Sequence, residues 1–252
     1  MAQGARQRSQ RGEKPPRASR VAIIADSHIE GPGGEPEALL EQLEALPARG
    51  FDRLVLLGDI LHLWIGLPKV QTRGSELLRR ALKQIRQEGV FVDYVEGNRD
   101  FFLEPLLAQG AFDRLGVELT LEVGSRRCLF VHGDRVPTGD WGYAGWRCLA
   151  KSGPVRWMVS ALPARVAWSM AQGMERRLAK SNFPHRDQIP EGRLRKFGEK
   201  QLRKGFDLVV LGHFHEERKW ELEMGCVWVV EAWFRSRRVE VLEAASPSSG
   251  ET

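Results

Sequence analysis

Five short apolar runs, spread between residues 21 and 211, each break into a loop whose first polar residues are Asp, Asn or His. They are "VAIIAD" ending at Asp26, "LVLLGD" at Asp59, "DYVEGN" at Asn98, "CLFVHGD" around His132, and "LVVLGH" at His213. Runs this short and this apolar read as strands buried on both faces. Between them, residues 35–48 place Leu39, Leu40, Leu43 and Leu46 at helical spacing, closed by Pro47 and Gly50. "SELLRRALKQIRQEG" likewise puts Leu77, Leu78, Ala81, Leu82 and Ile85 on one helical face before Gly89. Strands alternating with helices predict an α/β layered fold. Two further strands, around "CVWVVEAW" and "RRVEVLEA", complete it, and no internal repeat is present.

In open α/β sheets, ligands bind outside the carboxyl ends of the strands. Five such ends carrying oxygen and imidazole donors are therefore expected to converge on one edge. Four of the six histidines (His28, His132, His213 and His215) fall in this set, and only His62 and His185 do not. Two surface imidazoles could explain "GHFH" alone, but they explain the whole set poorly. With Asp26, Asp59 and Asn98 the donors number seven, more than one tetrahedral ion uses. If Asp59 bridges, they divide into two sets of four, which suits two divalent metals roughly 3.5–4 Å apart. Imidazole and carboxylate donors without thiolate favour manganese, iron or zinc over calcium or a soft metal. Such a pair would make hydroxide available near neutral pH and neutralise a phosphate under attack.

Residues 141–204 differ from the rest: they contain no clear strand and read mostly as helices. Trp141, Trp146, Trp157, Trp168, Met158, Met170 and Met174 lie there, with Arg165, Arg176, Arg177, Lys180, Arg193, Arg195 and Lys196. An extra helical layer with a solvated basic face accounts for this, and so does a cap over a site for an amphipathic anion. The two readings are compatible. The basic, polar stretch at 1–19 lacks an apolar signal region and is expected to be a disordered arm. Residues 246–252 are expected to be a disordered tail after a domain spanning 20–245. Cys128, Cys148 and Cys226 are odd in number and lack metal-ligand spacing, which suits a reducing compartment rather than a disulfide framework. No apolar run approaches the ~20 residues of a membrane-spanning helix. The net charge of +5 suits an anionic partner without choosing one.

The motifs at the strand ends resemble those of the calcineurin-like metallophosphoesterase superfamily: D-x-H at Asp26 and His28, G-D at Gly58 and Asp59, "GNRD" at 97–100, "HGD" at 132–134 and "GHFH" at 212–215. The resemblance implies a two-sheet sandwich flanked by helices, with a helical lid inserted at about 141–204. It implies that Asp26, His28, Asp59 and His215 hold one ion, and Asp59, Asn98, His132 and His213 the other. Manganese is the expected metal, with iron or magnesium as alternatives.

A narrower likeness is to the UDP-2,3-diacylglucosamine hydrolases of lipid A synthesis. "GNRDFF" at 97–102, "GDILHLWIG" at 58–66, "HGDRVPTGDWGY" at 132–143 and "ALP" at 161–163 are similar to that family's segments. Arg99 stands where many superfamily members have histidine, and its planar fork suits a diphosphate. The likeness implies catalytic roles for Asp59, Arg99 and His132. It implies substrate contacts from Asn98, Arg99, Asp140, Tyr143 and His213, with Arg176, Arg177 and Lys180 as candidate phosphate contacts. The departures are Leu67 and Pro68 where two aspartates are usual, His62 where glutamate is common, and Gly139 for the first aspartate of T-D-D.

The expected activity is hydrolysis of the UDP-2,3-diacylglucosamine pyrophosphate to UMP and 2,3-diacylglucosamine 1-phosphate. A cytoplasmic monomer attached peripherally to an anionic inner-membrane surface, with no nucleic-acid partner, is the expected setting. A phosphodiesterase acting on nucleotides or nucleic acid, and a non-catalytic scaffold with this fold, are the competing readings.

Overall fold

The computed structural model describes residues 17–31, 35–136, 149–170, 172–173 and 189–244, with Gly145 and the short strand at 8–9. Two sheets stack face to face. The first runs β1 (Arg8–Ser9), β7 (Arg114–Gly116), β5 (Phe91–Val95), β3 (Arg53–Leu56), β2 (Arg20–Ile24) and β13 (Glu240–Glu243). Within it β2, β3, β5 and β7 are parallel, and the antiparallel β1 and β13 form the edges. The second sheet runs β11 (Arg218–Leu222), β12 (Gly225–Val229), β10 (Leu208–Leu211), β9 (Arg126–Val131) and β8 (Glu118–Val123). Here β9, β10 and β12 are parallel, and β8 and β11 are antiparallel edges. A two-stranded ribbon pairs β4 (Trp64–Ile65) with β6 (Asp100–Phe101).

The apolar runs recognised in the sequence are the central parallel strands, which need two apolar faces because both are covered. One face of each sheet meets the other sheet. Val21, Ile23, Val55 and Val95 pack there against Leu119, Phe130, Leu208 and Val210. The outer face of the first sheet carries α1 (Pro36–Glu44) and α2 (Arg73–Gln87), which bury Leu39, Leu43, Leu78, Leu82 and Ile85. The outer face of the second carries α5 (Glu191–Leu202) through Leu194 and Leu202. The architecture is the helix-flanked two-sheet sandwich.

Helix α2 starts at a capping box: Thr72 Oγ1 accepts from Ser75 N at 3.1 Å, and Thr72 N donates to Ser75 Oγ at 2.9 Å. Such caps contribute about 1 kcal/mol. The Glu30 carboxylate also accepts from Thr72 Oγ1 and Gly74 N, fastening the loop after β2 to this helix. Helix α3 (Glu104–Ala108) follows β6. Helix α4 (Gly153–Ala161) and the helical residues 164–170 rest on a separate apolar cluster. In that cluster Ala150, Val159 and Ala167 meet Ile65, Leu67, Val70, Phe101 and Phe102. A last helical turn, α6 (Trp233–Ser236), buries Trp233.

The stretch read as a disordered arm contains ordered pieces, the β1 edge at Arg8–Ser9 and the residues that lead into β2. Ala18 is buried, and its N–H donates to Glu122 O at 2.9 Å. The small residue fits under the edge of β8, where backbone pairing holds it.

Candidate metal centre

Because β2, β3 and β5 run parallel in one sheet, and β9 and β10 in the other, their five carboxyl ends open onto one edge of the sandwich. Backbone bonds lock the adjoining loops: Asp26 N donates to Gly58 O, His28 N to Asp59 O, and Gly212 N to His132 O. All seven predicted donors gather there. Eight described residues other than glycine have positive φ, and five of them are donors: Asp26, His28, Asp59, His213 and His215. A non-glycine residue held there costs of order 1–3 kcal/mol, and such strain concentrates at functional sites. The loops are bent to aim side chains, against local preference.

The side chains form two overlapping groups. Asp26, His28 and His215 offer atoms within 4.8 Å of one another, and so do Asp26, Asp59 and His132. His28 Nε2 lies 3.4 Å from His215 Nε2, and Asp26 Oδ1 lies 3.4 Å from His215 Nε2 and 3.7 Å from His28 Nε2. In the second group His132 Nε2 is 3.8 Å from Asp59 Oδ2 and 3.2 Å from Asn98 Oδ1. The His213 ring sits beside that of His132, with centroids 5.1 Å apart. Asp26 is the carboxylate common to both groups, whereas the motif resemblance makes Asp59 the shared one.

Three features fit these residues to divalent cations. Asp26 Oδ1 is fully buried, faces the His215 and His28 imidazoles at 3.4 and 3.7 Å, and among the described residues accepts no well-formed hydrogen bond, an expensive state for a carboxylate oxygen unless a cation faces it. Its partner Oδ2 is fixed by the N–H of His213 at 2.7 Å. His132 Nδ1 donates to Leu57 O at 2.7 Å, so Nε2 is the nitrogen left to coordinate. Among the described residues the set is imidazole, carboxylate and amide, with no thiolate in it.

Electrostatics tell the same story. Burial would raise the Asp26 carboxyl, but His132, His215 and His28 overcome it and hold Asp26 far below the usual range. Burial pulls His132 down, yet the Asp59 and Asp26 carboxylates push it up to about 9. Burial, then His132, depress His213 to about 3. Burial likewise keeps His28 neutral, with Asp26 opposing and Arg99 assisting. Burial raises Asp59, with His132 opposing and Asp26 assisting. A buried pocket this rich in mutually perturbed groups is the signature of a functional site.

Arg99 is nearly buried beside the centre. Its N–H donates to Asp59 Oδ1 at 2.8 Å, its Nη1 to His62 O at 3.1 Å, and its Nε lies 3.7 Å from Asp59 Oδ2. His62, outside the donor set in the sequence, is half-buried, its ring centroid 6.2 Å from that of His28. Leu67 has joined the apolar cluster under residues 149–170, and Pro68 begins a 3-10 turn, Pro68–Val70. Asp140, Tyr143, Arg176, Arg177, Lys180, His185 and Gly139 lie outside the described residues.

Sequence reasoning missed a supporting layer. Asp100 is buried and accepts from Gly97 N at 2.7 Å, Asp59 N at 3.1 Å and Tyr94 Oη at 3.0 Å. It thereby joins the loops after β3 and β5, and burial and Asp59 raise its carboxyl to about 7. Its signal was in view as the last letter of "GNRD". Phe234 packs on both His28 and His215 with no comparable signal. Gly97 must be glycine, because a Cβ there would strike Asp59 Oδ1.

Residues 19–217 match the calcineurin-like phosphoesterase family. The chain belongs to that family. Among curated proteins, it is 29% identical to the UDP-2,3-diacylglucosamine hydrolase of Serratia proteamaculans over 205 residues, covering 80% of this chain and 84% of that one. It is 31% identical to the Escherichia coli O7:K1 protein of the same name over 161 residues, covering 64% of this chain and 67% of that one. Among solved structures it is similar to an archaeal phosphodiesterase, with 12% identity, a TM-score of 0.47, and 89% of this chain and 93% of that one covered.

Proposed function

We propose that this calcineurin-like phosphoesterase hydrolyses the pyrophosphate of UDP-2,3-diacylglucosamine, releasing UMP and 2,3-diacylglucosamine 1-phosphate. The observation that carries the reading is Arg99, inside a "GNRDFF" segment: its backbone N–H bonds Asp59, its Nε faces Asp59 at 3.7 Å and its Nη1 bonds His62 O, beside the donor cluster. Relatives named for this activity span most of the chain. Asp26, His28, Asp59, Asn98, His132, His213 and His215 would hold two divalent ions, with manganese the metal proposed. Bound there, the ions would supply charge neutralisation at the phosphate and activation of water. The protein's part is geometry. Asp59 orients Arg99, and Arg99 places two N–H groups and a fixed charge against the phosphate oxygens. In the step, water oxygen bonds to the α-phosphorus and the bond from that phosphorus to the bridging oxygen breaks. The leaving sugar phosphate keeps the electron pair, and the water's proton passes to solvent.

Residues 141–204 serve as the lid in this reading, with Asp140, Tyr143, Arg176, Arg177 and Lys180 proposed as substrate contacts from their motif positions. Between 149 and 170 the chain has three cations, Lys151, Arg156 and Arg165, and no acidic residue. Leu149, Trp157, Met158, Val166 and Met170 are exposed there, Trp157 by 76%. That surface suits peripheral attachment to an anionic bilayer through its apolar side chains and Arg165, since Lys151 bonds Gly97 O and Arg156 faces Glu104, at ~1 kcal/mol per basic residue near the surface. Among the described residues no helix is long and apolar enough to cross a membrane.

The deciding experiment measures UMP release with manganese from UDP-2,3-diacylglucosamine, beside UDP-GlcNAc and the Asp59→Ala variant. Release from the acylated substrate alone, reduced at least 100-fold in the variant, is expected, since one catalytic group commonly carries 10²–10⁴ in rate. Turnover of UDP-GlcNAc or simple phosphodiesters in its place would sink the lipid assignment.

A further inference from the structure

Besides Arg99 O, which accepts from Trp64 N at 2.9 Å, the loop that carries Asn98 and Arg99 is pinned at three further backbone atoms. Gly97 N donates to Asp100 Oδ2 at 2.7 Å, and Arg99 N donates to Asp59 Oδ1 at 2.8 Å. The third pin comes from outside the sandwich. Lys151, just before α4, donates from Nζ to Gly97 O at 2.6 Å. The same ammonium lies 5.7 Å from the Phe101 ring centroid.

Lys151 is held there by its surroundings. Ala150 next to it is buried in the cluster with Phe101 and Phe102. The helical segment is tied down again at the far end of α4, where Lys69 Nζ donates to Ser160 O at 2.5 Å and to Leu162 O. Midway, Arg156 Nη1 lies 3.4 Å from Glu104 Oε2. The lysine is thus delivered by a docked element and does not sweep freely through solvent.

The peptide it bonds is the one joining Gly97 to Asn98. Fixing that plane sets the direction in which Asn98 leaves the loop, and Asn98 Oδ1 sits 3.2 Å from His132 Nε2. A charged donor makes the pin about twice as strong as a neutral one. A displacement near 1 Å at such a group can cost about 10²-fold in rate.

We infer that Lys151 is a positioning residue of the metal centre, coupling the docking of residues 149–170 to the placement of Asn98 and Arg99. The inference rests on the hydrolase reading for its role in turnover, but not for its role in metal affinity. Nothing in the strand-end motifs points to it, because it lies 53 residues beyond Asn98 on a different element.

The test uses the full chain with Lys151→Met, which keeps the stem over Phe101, and Lys151→Arg, which restores a cationic donor. Manganese binding is titrated calorimetrically, Tm is recorded, and kcat and KM are measured for UDP-2,3-diacylglucosamine. The Met variant should bind manganese about five- to tenfold more weakly and lose about tenfold in kcat with KM little changed. The Arg variant should recover both to within about threefold. A lower Tm with unaltered manganese affinity would reduce Lys151 to a structural anchor and overturn the inference. If the wild-type chain fails to release UMP, the lipid reading falls, and the manganese titration still decides the case for Lys151.

Discussion

At the residue scale, the centre is a balance of charges that only cations complete. Asp26 carries a buried oxygen faced by two imidazoles, and the Asp59 and Asp26 carboxylates push His132 up to about 9. Coordination needs the neutral imidazole, so if His132 is a ligand, metal binding below that pH expels its proton. His213, depressed to about 3, and the lowered His28 are neutral already and contribute none. The sign follows: manganese affinity should rise with pH from 7 to 9 and flatten above it. Calorimetry in buffers of different ionisation enthalpy at pH 7.5 should show about one proton released per chain from His132. Affinity independent of pH across that window would show that His132 is not a ligand. The gathering of these seven donors at one edge was legible in the sequence because donor types recur at apolar strand ends. Lys151, Tyr94 and Phe234 were not, since they act through distances that no local pattern encodes.

At the element scale, legibility followed burial. The strands found from sequence are mostly those covered on both sides, β2, β3, β5, β9 and β10, whose runs are largely apolar, with the buried charges of Arg53 and Asp93 as exceptions. Those passed over include β8, with alternating burial, and β11, a polar edge with no buried residue. The two-residue strands β4 and β6 are too short to carry any period. Strand order and register were out of reach, because they depend on pairings between distant segments. Residues 149–170 present the reverse case, helices with large apolar side chains facing out. Sedimentation with vesicles containing about 30% anionic lipid should pull the protein down at low salt. Binding should fall several-fold at 0.5 M salt, where the screening length drops below about 5 Å, and again in Trp157→Ala. Equal binding to neutral and anionic vesicles would contradict an electrostatic contribution to attachment.

At the scale of the whole molecule, the sandwich serves one purpose that a single sheet could not. The first sheet supplies Asp26, Asp59 and Asn98 from β2, β3 and β5, while the second supplies His132 and His213 from β9 and β10. The shared apolar layer between the sheets fixes the two halves of the donor set against each other, with Val55 and Leu57 on one side and Phe130 and Val210 on the other. Helical residues then lean over the same edge and reach its loops through Lys151. The central claim is that this edge binds two cations and that hydrolysis depends on both. The most direct measurement titrates metal-depleted protein with manganese while recording UMP release from UDP-2,3-diacylglucosamine. The rate should climb until about two equivalents per chain are bound, as a two-metal centre requires, and then level off. Full activity in the depleted protein, or saturation at a single equivalent, would contradict the account.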